Sequence, residues 1–129
     1  MNSILLDQVA DAIRSSWSAE TSNYAEWSKD NPSAGQCAVT ACVVQDYLGG
    51  DILNVRALNS GGVGMSHYFN IIDGKIVDLT RGQFKSGTTF SKPASKTGNY
   101  ATTREYCLSF TVTNERYQIL LSKVAKLVN

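Results

Sequence analysis

The chain has 129 residues, enough for a single domain spanning residues 1–129 that buries roughly two thirds of its unfolded surface without staples. Its 12 Lys and Arg are scattered among 11 Asp and Glu, so it lacks the basic stripe that nucleic acid or an anionic membrane requires. Three cysteines cannot all pair, and with no signal-like N-terminus and no long apolar run the expectation is a cytoplasmic protein with free thiols.

Residues 4–17 place Leu5, Val9, Ile13 and Trp17 at four-residue steps, with Leu6 and Ala10 beside them. This predicts a helix with one face on the core. Residues 18–31 are polar around Tyr24 and Trp27 and read as a loop, from which Trp27 is expected to cover the core. A second helix then runs to the stop at Gly49-Gly50, and Ser33 with Gln36 three residues later fits a capping box at its start. Between them residues 38–44 are apolar or small all round, as a helix covered on every side requires. Cys37 falls in its first turn, where the positive end of the helix dipole favours thiolate and can bring a thiol pKa to about 3.5–7.5.

Residues 51–58 read as a strand buried on both faces, through Ile52, Leu53, Val55 and Leu58. After a glycine-bearing loop, residues 66–72 and 75–80 flank Asp73-Gly74, the dipeptide of a type I′ hairpin. A two-residue turn pairs Ile72 with Lys75, Asn70 with Val77, Phe69 with Asp78 and His67 with Thr80. Alternation then puts His67, Phe69, Ile71, Ile76, Asp78 and Thr80 on one face, with His67 and Asp78 as diagonal neighbours. Asn70 points to the opposite face. Residues 85–99 predict an exposed, polar loop, and residues 101–110 a short helix from Thr103 or a strand, the helix favoured. A last helix is expected from Thr113 as its cap, with Tyr117, Leu120, Leu121, Val124, Leu127 and Val128 in one stripe.

A cysteine at a helix start and a histidine sharing a strand face with an aspartate make an acyl-transfer constellation: Cys37 as nucleophile, His67 as base and Asp78 as its orienter. The Cys37 backbone NH would help hold the oxyanion. Cys42, five residues on, and Cys107, without a local signature, read as packing residues. One histidine and three cysteines without a CxxC spacing argue against a metal site, and no cofactor motif is present. Asp73 reads as a turn residue, Gln45 and Asp46 as a solvated helix end, and Arg81 as a surface charge.

Gly35-Gln36-Cys37 with Val39 and Ala41 resembles the Gly-Gln-Cys helix start of transglutaminase-like proteins, within the papain-like superfamily. His67-Tyr68-Phe69-Asn70, then Asp78-Leu79-Thr80 and Gln83, resembles that superfamily's histidine and aspartate blocks, in the same chain order. More specifically, residues 16–21, the Cys37 helix, the His67 hairpin and Asp78-Leu79-Thr80 resemble the YunG-like small bacterial proteins over most of the chain outside residues 85–99. The resemblance implies an α+β, papain-like fold with the Cys37 helix packed on a small antiparallel sheet between N- and C-terminal flanking helices. It departs from transglutaminases at Ala38, where they carry tryptophan, so bulk beside the thiol must come from Trp17 or Trp27. The papain-like oxyanion glutamine, six residues before the cysteine, is replaced by Asn31, which leaves Asn31, Gln36 and Trp27 as oxyanion candidates. Calcium loops are absent, so protein crosslinking is disfavoured.

The expected function is therefore a cysteine hydrolase or acyltransferase acting on an amide, peptide or (thio)ester carbonyl of a small-molecule, peptide or protein substrate. The alternative is a non-enzymatic binding or inhibitory module, from a bacterium or a phage, that keeps the triad as a relic. No nucleic-acid or membrane partner is expected, and oligomeric state is left open.

Overall fold

Asn2 opens the first helix by accepting the Leu5 amide on its side-chain oxygen at 3.0 Å, and α1 (Ser3–Ser16) buries Val9, Ala10 and Ile13 of the predicted face together with Ala12, while Leu5, Leu6 and Trp17, the last just past the helix end, are partly buried. The structure, a computed structural model, describes residues 1–128. Residues 17–36 form successive turns without helix or strand. Trp27 in this loop is half-buried and donates its indole NH to Pro32 O at 2.9 Å, outside the central core cluster it was expected to cover.

Helix α2 (Cys37–Leu48) is the buried centre, with Cys37 and residues 39–44 removed from solvent. Gly49 ends it at φ 72, its NH on Gln45 O at 2.9 Å. The expected capping box does not form. Gln36 is the N-cap residue but makes no side-chain cap bond, because its fully buried amide donates instead to Ser18 O at 3.0 Å.

The sheet comprises β1 (Asp51–Leu58), β2 (Gly64–Ile72), β3 (Lys75–Val77) and β4 (Thr89–Phe90), in the order β3-β2-β1-β4 and antiparallel throughout. Asp73 at φ 51 and Gly74 at φ 75 supply the two positive φ angles that a type I′ turn demands, and Ile72 pairs with Lys75 and Asn70 with Val77. The ladder stops at Val77, three residues short of the predicted end. There Asp78 reaches to His67 and Arg81, and the chain turns into a 3-10 segment at Arg81–Gln83.

Both faces of β2 are covered. On one, Asn70 donates to Ala41 O of α2 at 2.9 Å, while Ile72 and Val77 join Val39, Val43 and Val44 in the core. On the other, His67 is buried against Phe84 and Phe90, with the buried Phe69 beside it.

Residues 85–99 are mostly exposed, as predicted, but are not free of the sheet. Phe90 pairs with Ala57 and Thr89 with Leu58, Ser91 exchanges hydrogen bonds with Arg56, and Ala94 exchanges both backbone bonds with Asn54. This covers the outer edge of β1, and two-residue strands carry too little alternation to be read in sequence.

Helix α3 (Thr103–Leu108) follows the favoured reading, capped by Thr102 on the Glu105 amide. Helix α4 (Thr111–Ala125) begins two residues before the Thr113 cap, with Phe110 at the N-cap position and no side-chain bond. Tyr117, Leu120 and Val124 dock on the core, whereas Leu127 lies past the helix end and is exposed. Asp46 is not simply a solvated helix end. Arg104 reaches it at 2.8 Å, and Arg104 also donates to Cys42 O, Gln45 and Tyr117, tying α3 and α4 to the exit of α2. The Arg104 partner lies 58 residues away from Asp46 in sequence, so no local pattern announces it.

Candidate active site

Cys37 is the first residue of α2, 7% exposed, at the end where the backbone NH groups of the first turn have no acceptor within the helix. The indole of Trp17 donates to Thr40 Oγ1 at 2.9 Å and so holds α1 against α2 one turn beyond the thiol. His67 is fully buried in the middle of β2, opposite Val55. Phe84 meets its ring edge-on at 4.8 Å between centroids, and Phe69 and Phe90 lie at 6.2 and 6.3 Å.

His67 Nε2 lies 2.8 Å from Asp78 Oδ2. Burial alone would raise the Asp78 pKa, but the hydrogen bond from His67 and the Arg81 guanidinium hold it below the ordinary carboxylate range. Asp78 is thus a carboxylate, so Nε2 is the donor. Burial also opposes charge on His67, yet Asp78 and then Cys37 outweigh it and push the imidazole up from 6.5 to about 9. With Nε2 committed to Asp78, Nδ1 is the nitrogen open to the thiol, and it is buried without another hydrogen-bond partner. Among the described residues, the buried side-chain atoms lacking a partner are this Nδ1, Asp78 Oδ1 and Gln36 Oε1. All three belong to residues singled out as candidates in the sequence, and buried polar atoms are otherwise almost always paired.

Burial pushes Cys42, and likewise Cys107, up to about 12, which leaves both as unreactive thiols at neutral pH.

Each oxyanion candidate has a definite position. Gln36 spends its NH2 on Ser18 O, Asn31 donates to Gln83 O at 3.4 Å and is exposed, and Trp27 donates to Pro32 O. Gln83 is a bridge: its Oε1 accepts from Gly35 N at 3.4 Å and its Nε2 donates to Thr80 O at 3.1 Å, so the approach to Cys37 is tied to the turn after Asp78.

Arg81 is a residue that sequence reasoning missed. Rather than a free surface charge, it donates Nε to Asp78 Oδ2 at 2.8 Å and lies 4.0 Å over the Phe90 ring. The Asp-x-x-Arg spacing was a local signal for the ion pair; Phe90 was not, because it depends on β4 reaching the sheet. Among the described residues no group of three or more His, Cys, Asp or Glu is placed to hold a metal ion, and no helix is long and apolar enough to cross a membrane.

These parts define a small α+β protein in which a helix-start cysteine lies near enough to raise the pKa of a buried histidine of the antiparallel sheet, itself bonded to an aspartate just past the end of β3. The chain belongs to the YunG family, whose model, described as YunG protein, matches residues 5–129. It is 31% identical over 125 residues to a Bacillus subtilis (strain 168) protein named uncharacterized protein YunG, covering 96% of this chain and 95% of that one. No solved structure matches it significantly.

Proposed function

We propose that Cys37, His67 and Asp78 are the triad of a cysteine-dependent hydrolase or acyltransferase that acts on an amide, peptide or (thio)ester carbonyl. The observation that carries this reading is the 2.8 Å His67–Asp78 bond, which leaves a buried, otherwise unpartnered Nδ1 open to the first thiol of α2. A histidine pushed up to about 9 carries a proton at pH 7, so the imidazolium has a proton to give to the leaving group.

The sulfur attacks the carbonyl carbon and a C–S bond forms. Backbone NH groups of the first turn of α2, including that of Cys37, take the oxyanion. Collapse breaks the bond to the leaving group, which departs with the proton of the imidazolium, and a thioester remains. Water, or an amine for transfer, then gives its proton to the imidazole as it attacks, and the C–S bond breaks to return thiolate and imidazolium. Asp78 keeps Nε2 engaged throughout. The chain order Cys, His, Asp, on a helix and then a hairpin, supports a papain-like or transglutaminase-like placement.

Burial favours a second reading, a binding or inhibitory module on the same fold, since His67 is fully covered and Cys37 nearly so. Iodoacetamide labelling of the native protein between pH 5 and 9, followed by peptide mass spectrometry, separates the two. The enzyme reading expects Cys37 to react at least tenfold faster than Cys42 and Cys107, and His67→Ala to remove that advantage. Equal, slow labelling of all three thiols would leave the triad a relic.

A further inference from the structure

A cavity of about 370 Å³ opens between the loop after β1, the start of β2 and the segment following the 3-10 turn, with Ala57, Val63, Met65, Phe84 and Lys85 among its walls. Its position relative to His67 follows from the register. Ala57 pairs with Met65, and Val55 with His67, so the Ala57–Met65 pair is the next pair along the same sheet face, two residues or about 7 Å from the histidine. Phe84 is shared: its ring is a wall of the cavity and also packs edge-on against the His67 imidazole at 4.8 Å. The cavity therefore continues the imidazole's own side of the sheet.

Its chemistry is apolar at the floor and polar at the rim. Ala57 is buried, whereas Met65 and Val63 are 44% and 67% exposed, large apolar groups left in water beside a concave surface. Lys85 and Asn59 stand among its polar walls. The volume is at the small end for a ligand site and suits one bulky side chain rather than an extended cofactor.

We propose that this cavity, whose wall residue Gln83 also accepts from the Gly35 NH two residues before Cys37, is a specificity subsite of the Cys37 site and takes a large apolar side chain of the substrate, such as leucine or phenylalanine. This rests on the acyl-transfer reading for its catalytic meaning, but the binding itself can be tested without turnover. Met65 and Met1 are the only methionines, so methyl-13C-methionine labelling yields two signals, assigned with Met65→Leu.

Titration with N-acetyl-leucinamide should move the Met65 methyl saturably, with a dissociation constant of about 1 mM, the scale for a small amide held at one apolar subsite. Met1 should not follow, N-acetylglycinamide should leave Met65 in place, and Val63→Asp should weaken binding by about fivefold or more. A Met65 signal that stays still up to the solubility limit of the leucine amide, or that moves equally with the glycine amide, overturns the proposal. An inert Cys37 in a protein whose Met65 responds would remove the catalytic reading and leave the apolar site standing. A reactive Cys37 with a silent Met65 would do the reverse.

Discussion

His67 and Arg81 share a single oxygen of Asp78: Nε2 of the first and Nε of the second each stand 2.8 Å from Oδ2, while Oδ1 is buried without a partner. The two donors are unequal. The His67 side chain is fully buried and that of Arg81 is 45% exposed, so water can replace Arg81 but not His67. Asp78→Asn should destabilise the protein by about 3 kcal/mol, since it takes the charge partner from a buried group that can then shed its proton. Arg81→Ala should cost under about 1 kcal/mol, as an exposed pair does. Urea unfolding of both variants decides the ranking, and an Arg81→Ala loss as large as that of Asp78→Asn would reverse it.

The same pair sets the pH dependence of stability. His67 is raised from 6.5 to about 9, so its contribution is complete below pH 6.5 and is lost as pH rises through 9. Asp78 is lowered from 3.8, so its contribution is present above that value and is lost as pH falls below it. Stability should therefore hold a plateau between roughly pH 4 and 6.5 and decline on the alkaline side toward 9. His67 is the chain's only histidine, so its ring resonances titrate without overlap; they should show a midpoint near 9. A midpoint at or below 6.5 would contradict the charge-paired imidazole. In His67→Gln the alkaline decline in thermal stability should flatten.

Much of the site was legible because it rests on local rules. Asp73-Gly74 admits one common turn, that turn sets the register, and alternation then separates His67 from Asn70, which the structure puts on opposite, differently covered faces. Gly49 likewise ended α2 where a left-handed glycine must. What failed depended on partners distant in sequence. Gln36 had the spacing of a capping residue, but burial beside Ser18 gave its amide a better use. Asp46 looked solvated because Arg104 and Tyr117 arrive from α3 and α4. Arg81 and Phe90 meet only because a two-residue strand holds Phe90 against the edge of β1, and so brief a strand leaves no periodicity to read.

Gly35 and Gly74 allow the approach to Cys37 to be tested on its own terms. Both have nearly the same left-handed φ, 71 and 75. A Cβ on Gly74 would enter open space, whereas one on Gly35 would meet the Ser22 hydroxyl and come within 2.6 Å of Asn23 Oδ1 and Tyr24 N. The backbone term common to the two is about 1–2 kcal/mol, and the overlap at Gly35 should add roughly 1–3 kcal/mol more. Gly74→Ala should therefore be the milder variant. Gly35→Ala also displaces the NH that meets Gln83 Oε1, two residues before Cys37, so it should slow Cys37 alkylation as well as lower the unfolding midpoint. Both readouts come from one pair of variants. If Gly35→Ala costs no more than Gly74→Ala, the Ser22–Tyr24 turn is not the rigid support that brings Gln36 and Cys37 to the start of α2.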